Sequence, residues 1–432
     1  MRGIDMFNPA TPVKTQSANT REFKGRCYLD GRTSDPSEQG WMCGSPPPVE
    51  KRVTFESDNF LEFPQLRWSL SHMRELLPTV NVWRGRGGGS HFESEDKAPE
   101  IDSLEFTDLD GCERRFDEAL YETYTDGIIV MHRGRIVYER YFGALERHLP
   151  HACHSVTKSY AGTLAATLVQ EGTLEETKTV GYYLPELRGT AFEDATFRQV
   201  MDMRSGVSFT VDYDDPYSGI WEFSRACGWR PRTKDLDGPR TISDYLRTMS
   251  CEGGHGEAFA YKIVDTEVMS WVMARVTGQS FAQILEERIW RPIGCEEDGY
   301  LFVDPAGMTV SGAGLSCTLR DLARFGELIR REGDWNGKQL IPATAVHDIR
   351  SGGYSKSDVS HPRELSYRSQ WWVTNNEVDS FEARGLQGQR LHIAPKAEMV
   401  VARFASHPIG ESSANEPITG PQILALARTL CG

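Results

Sequence analysis

No stretch of this 432-residue chain approaches the roughly 18 consecutive apolar residues that a membrane-spanning helix needs, so no membrane partner is expected. A basic excess is missing as well. Lys and Arg number 48 against 62 Asp and Glu, a net charge of -14, whereas a phosphate-binding surface needs the opposite balance, so nucleic acid is not an expected partner. The opening stretch, MRGIDMFNPATPVKTQSANTREFKG, has no apolar core behind its basic residue. That predicts no secretory signal and a cytoplasmic protein. Close cysteine pairs are also absent: the nine cysteines stand singly, with no CxxC, and an odd count in a reducing compartment reads as free thiols.

What is present is an ordinary globular composition, 39% hydrophobic and 25% charged, in a chain long enough to bury a large core. Residues 1 to about 60 are rich in Pro, Gly, Ser and Thr and lack periodicity, which predicts an extended N-terminal arm ahead of one domain over residues 61–432. The run TDGIIVMHRGRIVYERYFG places two β-branched apolar stretches around HRGR, a hairpin signature. Helical spacing follows in SYAGTLAATLVQEGTL up to Gly172, then in 197–206, 265–294 and 318–337. RLHIAPKAEMVVARFAS reads as two strands around a Pro-containing turn, and PQILALARTL as a final helix. Strands thus come early and late (about 110–150 and 365–432) with helices between (about 155–350). The expected fold is α/β in the mixed, α+β sense: a central antiparallel sheet built from both ends of the chain, flanked by helices, with a helical region inserted.

Within HACHSVTKSYAGTLAATLVQEGTL, Ser155 stands three residues ahead of Lys158 at the front of an apolar helix. That spacing puts both side chains on one face, about a turn apart. A serine hydroxyl is a weak nucleophile until a base takes its proton, and a lysine becomes such a base only when burial among apolar neighbours lowers its pKa. The helix N-terminus adds free N–H groups and a positive dipole end where an oxyanion would develop. S-x-x-K by itself is too short to decide the matter.

The flanks carry more. HSVTKSYAGTLAATLVQEGTLEETKTVGYYLPEL resembles the nucleophile region of the serine β-lactamase and penicillin-binding superfamily, within the class C-like branch that includes family VIII carboxylesterases and nylon-oligomer (aminohexanoate-dimer) hydrolases. DMRSGVSFTVDYDDPYS, ACGWRPR, ARVTGQSFAQILEERIWRPIG, GAGLSCTLRDLARFGELI and SYRSQWWVTNN resemble nylon-oligomer hydrolase segments in the same order, so the likeness covers roughly residues 60 to 425. The resemblance implies a β-lactamase-like fold and a Ser-Lys-Tyr hydrolase. In EAFAYKIVDTEV the family's Y-x-N or Y-x-S tyrosine falls on Tyr261, implying a proton relay between Ser155, Lys158 and the leaving group. Its polar third position is Ile263 here. The family's K-T-G falls on Ala383, Arg384 and Gly385, so only the glycine is kept. The next N–H, of Leu386, is then the second oxyanion donor beside that of Ser155. Tyr213 and Trp229 match aromatic positions lining the family's substrate pocket, and Ser224 falls where residues near the substrate amine vary.

Other signals lead elsewhere. His148, His151 and His154 beside Cys153 have a zinc-like spacing, yet they run into the nucleophile and the resemblance implies neither metal nor cofactor. RGRGGGS lacks the G-K-[ST] ending of a phosphate loop and reads as a linker. The expected function is hydrolysis of a small carboxylic ester or linear amide through an acyl-enzyme. The alternatives are a non-catalytic ligand-binding or sensor protein on the same fold, and a β-lactamase or D-aminopeptidase-type peptidase. The resemblance is also compatible with a homodimer.

Overall fold

The computed structural model describes residues 15–17, 19–213, 215–232, 238–353, 365–411 and 414–431. Its main elements, in chain order, are strands β1 (Thr125–His132) and β2 (Arg135–Tyr141), helices α1 (Val156–Gln170), α2 (Gly219–Ala226), α3 (Ile263–Thr277) and α4 (Leu319–Arg330), strands β3 (Ser366–Arg368), β4 (Trp371–Val373), β5 (Phe381–Arg384), β6 (Arg390–Ala394) and β7 (Met399–Ala405), and helix α5 (Glu416–Cys431). The seven strands form one antiparallel sheet in the order β3-β4-β5-β6-β7-β1-β2. The join between the late and early strands is the β7–β1 pair, running from Met399 opposite His132 to Ala405 opposite Thr125. This is the antiparallel sheet fed from both ends of the chain that the sequence predicts.

The β1–β2 turn consists of Arg133 (φ 52°) and Gly134 (φ 79°), both left-handed, as a two-residue hairpin with native twist requires. Alternation then sorts the strands. Ala383, Leu391, Ile393, Val400, Ala402 and Phe404 point into the larger core beneath α1 and α4, whereas Met399, Val401, Ile128 and Val130 point to the opposite face under α5. Helix α1 is buried from Val156 to Leu168. It tolerates this because Ala161, Gly162, Ala165 and Ala166 are small, and because Thr163 and Thr167 donate their hydroxyls to the carbonyls of Ser159 and Thr163.

Three expected helices are shorter than their periodicity suggests, the 318–337 stretch ending at Arg330. The 265–294 stretch breaks at Gly278 (φ 70°), a left-handed C-terminal cap, and restarts as Phe281–Leu285 behind a capping box of Ser280 and Gln283. The 197–206 stretch is helical only over Phe197–Met201. A second, four-stranded sheet orders residues 79–82, 299–302, 315–317 and 151–152, and its last strand leads into α1. Ahead of the domain, strands Thr20–Phe23 and Arg26–Leu29 bring Phe23 against Tyr124 and His407. The buried Arg67 guanidinium ties this region in by donating to the Gly31 carbonyl, Ser34, Asp126 and Ser406.

Candidate active site

The short strand His151–Ala152 is held by Ala152 N–H on the Leu70 carbonyl, and just beyond it Cys153 N–H bonds the Leu315 carbonyl. His154 then adopts φ 46°, a left-handed conformation that costs a non-glycine residue about 1 kcal/mol or more, and the chain turns sharply into α1. Ser155 sits at this bend as the N-cap of α1. One turn on, Lys158 is 2% exposed, and its Nζ donates to Ser155 Oγ at 3.0 Å and to the Gly312 carbonyl at 2.6 Å. Burial lowers the Lys158 pKa to about 7, opposed by the negative charge of Glu267. A lysine near 7 can hold or release a proton at working pH.

Tyr261, in the loop leading into α3, places its ring 5.0 Å from Lys158 Nζ and stacks on Trp372 at 5.6 Å. Burial pushes its phenol up, opposed by a hydrogen bond with Ser155. Tyr261 therefore keeps its proton unless a neighbour draws it off. Ser155, Lys158 and Tyr261 come from sequence positions 106 apart and meet at one point, the arrangement in which a hydroxyl, an amine and a phenol can pass a proton among themselves.

The C-terminal end of β5 closes the other side. A Cβ on Gly385 would lie 2.7 Å from the Cys153 carbonyl and 3.2 Å from Ser155 N, so only glycine lets the strand end approach the Ser155 turn this closely. The following turn is fixed by Gln387 N–H on the Gly410 carbonyl and by the Gln389 side-chain amide on the Leu386 carbonyl, which sets the Leu386 peptide beside Ser155. Around this point lies a narrow cavity of about 70 Å³, whose lining includes Ser155, Lys158, Tyr261, Gly385 and Leu386 together with Tyr213, Trp229 and Ile263. Phe209, Val211, Ile220, Ala313 and Trp372 add an apolar wall that the sequence reading did not single out, and Arg384 also lines the cavity.

Ser224 does not join that lining. It is 4% exposed inside α2, and its hydroxyl donates to the Ile220 carbonyl at 2.7 Å. Ala383 points into the core, and the Arg384 guanidinium is engaged by Glu382 and Glu416. The three histidines separate: His148 lies by Glu146, His151 by Asp126, and His154 is buried against Trp229 at 6.0 Å. Burial pushes His154 down to about 3, so it stays neutral. Among the described residues no group of His, Cys, Asp and Glu is arranged to hold a metal, and no helix is long and apolar enough to cross a membrane.

A second buried charge, Glu267 on α3, also escaped the sequence reading. It is 0% exposed, and its carboxylate accepts from Ser311 N–H at 3.0 Å and Gly312 N–H at 2.8 Å. The signal that could have found it is the one that exposed Lys158: a charge at the edge of an apolar helical run, here EVMSWVM.

A family model for Beta-lactamase matches residues 113–419. The 6-aminohexanoate-dimer hydrolase of Paenarthrobacter ureafaciens is 32% identical over 81% of this chain and 88% of its own length. A solved structure from Bacillus anthracis that carries the provisional name 6-aminohexanoate-dimer hydrolase superimposes with a TM-score of 0.81 at 32% identity, covering 89% of this chain and 98% of that one. EstCE1, a hydrolase with promiscuous acyltransferase activity, shares the fold alone, with a TM-score of 0.54 at 15% identity over 73% of this chain and 98% of its own. With its mixed architecture of antiparallel sheet and flanking helices, and with relatives of this closeness, the chain is a hydrolase belonging to the Beta-lactamase family and related to 6-aminohexanoate-dimer hydrolase.

Proposed function

We propose that the protein hydrolyses small carboxylic esters and linear amides through an acyl-enzyme on Ser155. The observation that carries this reading is the buried Lys158 amine 3.0 Å from Ser155 Oγ, with a pKa lowered to about 7. Once neutral, Lys158 takes the hydroxyl proton as Ser155 attacks the carbonyl carbon. The tetrahedral oxyanion is held by the backbone N–H groups of Ser155 and Leu386. Tyr261 passes the proton to the leaving oxygen or nitrogen, the C–O or C–N bond breaks, and the acyl group remains on Ser155. Water then attacks the ester, giving its proton back along the same route, and releases the acid.

The apolar wall and the cavity of about 70 Å³ favour a compact acyl group next to Ser155. The substrate in the relatives' name, a 6-aminohexanoate dimer, supports linear amides as one class. β-Lactams fit poorly. Ile263 presents carbon where a lactam side-chain amide needs a polar partner, Ala383 is in the core, and Arg384 is committed to carboxylates. An unmade polar contact costs on the order of 1–3 kcal/mol, so two of them lower lactam turnover by tens- to thousands-fold. Measuring kcat/KM for a p-nitrophenyl ester, a linear amide and nitrocefin tests this, with the ester and the amide expected well ahead. A preference for nitrocefin overturns the substrate assignment.

A further inference from the structure

Lys158 needs more than burial to serve as a base: its amine must be aimed at Ser155 in both protonation states. The Gly312 carbonyl, 2.6 Å from Nζ, does much of that aiming. It belongs to a turn with no regular structure of its own, between the strands at 299–302 and 315–317. Ser311 Oγ bonds Ser270 Oγ at 2.7 Å and Thr309 Oγ1 at 3.1 Å, which anchors one corner. The other corner is fixed by Glu267, whose two oxygens accept the consecutive N–H groups of Ser311 and Gly312. The packing leaves no slack, since a Cβ on Gly312 would lie 2.5 Å from Ile263 Cγ1 and 3.1 Å from Glu267 Oε1.

We propose that Glu267 is a positioning residue for the Lys158–Ser155 pair, its carboxylate holding the Ser311–Gly312 turn so that the Gly312 carbonyl faces the Lys158 amine. The inference rests on the acyl-enzyme reading and adds a role that S-x-x-K and its tyrosine do not contain. A carboxylate buried at the site interior with no cation hydrogen-bonded to it is expensive unless it is used. Its negative charge also favours protonated Lys158, and so offsets part of the burial that makes the amine basic only near neutrality. Burial raises Glu267 itself to about 7, against the two N–H bonds and the Lys158 charge. Facing the pair are Tyr261 ahead of α3, His154 at the nucleophile turn, Asp304 beyond the 299–302 strand and Cys227 after α2. His154 is neutral, and burial keeps the Cys227 thiol protonated. The acid limb therefore belongs mainly to Lys158 and Glu267 together.

The test uses the full-length protein with a p-nitrophenyl ester. Glu267→Gln removes the charge and one acceptor. It is expected to lower kcat roughly tenfold or more with little change in KM, and to move the acid limb of kcat/KM to lower pH by roughly half a unit or more. Glu267→Asp keeps the charge but cannot span both N–H groups, so kcat falls while the limb stays put. A folded Glu267→Gln protein with wild-type kcat and an unmoved limb overturns the proposal, as does a loss confined to melting temperature. Should Glu267→Gln not fold, the Asp variant carries the decision, and wild-type kcat in it overturns the proposal. To separate this from failure of the acyl-enzyme reading, the Lys158 ionisation is followed by NMR of 13C-labelled lysine in a Ser155→Ala background, where no turnover is needed. A downward shift of that titration on adding Glu267→Gln supports the link between the two residues even if the natural reaction is another one, and an unchanged titration overturns it.

Discussion

Buried charge is handled in opposite ways on the two faces of β5. On the α5 face, Glu382 accepts from Arg384 and His392 and pairs with Arg390, while Glu416 pairs with both arginines. Burial alone would raise the Glu382 carboxyl, but these cations outweigh it and hold it well below the usual carboxylate range. On the α1 face, Lys158 and Glu267 have, among the described residues, only neutral dipoles as direct hydrogen-bond partners, and both sit near 7. Pairing locks a protonation state; isolation among dipoles leaves it free to change. The first arrangement suits a scaffold, and the second suits a site where a proton has to move.

The comparison breaks most visibly at Ser155. Ser155→Ala is expected to cut ester turnover by at least about a thousandfold while leaving the melting temperature within a few degrees, since a small side chain at a helix start costs about 1 kcal/mol. Substantial residual activity, or a fluorophosphonate label on another residue, places the nucleophile elsewhere. Next in size is Lys158→Arg. Its guanidinium stays protonated at any working pH, so turnover falls by hundreds-fold, and retained activity makes Lys158 an electrostatic stabiliser.

How much of this could be read from the chain alone differs between the faces in an instructive way. The Ser155–Lys158 spacing and the hairpin turn at Arg133–Gly134 are local, and local patterns survive in sequence. That the main sheet draws on both ends of the chain was legible because the strand-like runs read from sequence lie early and late, whereas the strands at 299–302 and 315–317 went unread. Glu267 went unread because its partners, the amides of Ser311 and Gly312, lie more than 40 positions away and carry no side-chain signal. Ser224 was expected at the pocket by resemblance, but α2 turns its hydroxyl onto Ile220 instead. The break at Gly278 shows why periodicity overruns: the apolar spacing continues past a residue whose left-handed φ ends the helix.

Smaller effects sharpen the contrast. If Lys158 works as a neutral amine, kcat/KM should fall about tenfold per pH unit as pH drops below about 7, because its folded-state pKa is lowered to that value and protonation removes the base. A rate flat from pH 7 to 5 contradicts this. On the other face, Glu382→Gln should leave the acid limb in place and change kcat only a few-fold, while destabilising the fold by about 3–5 kcal/mol in chemical denaturation, because Arg384 and Arg390 lose a buried partner. A displaced limb in that variant would mean that the two faces are electrically coupled. Smallest of all is Ser224→Ala, with kcat/KM for the ester expected within about twofold of wild type, its hydroxyl being spent inside α2.

The β7–β1 pairing carries a consequence for how the protein comes into being. Strand β1 has its sheet neighbour β7 some 270 residues downstream, and Gly385 and Leu386 reach Ser155 from about 230 residues along the chain. Closing loops of that length is slow, and contacts this remote cannot form until the distant segment exists. A ribosome that has released Ser155 and Lys158 has therefore made that pair but neither the strand that finishes the sheet nor the Gly385–Leu386 turn that packs against it. If Ser155 is the nucleophile, hydrolytic competence arrives only with the last part of the polypeptide.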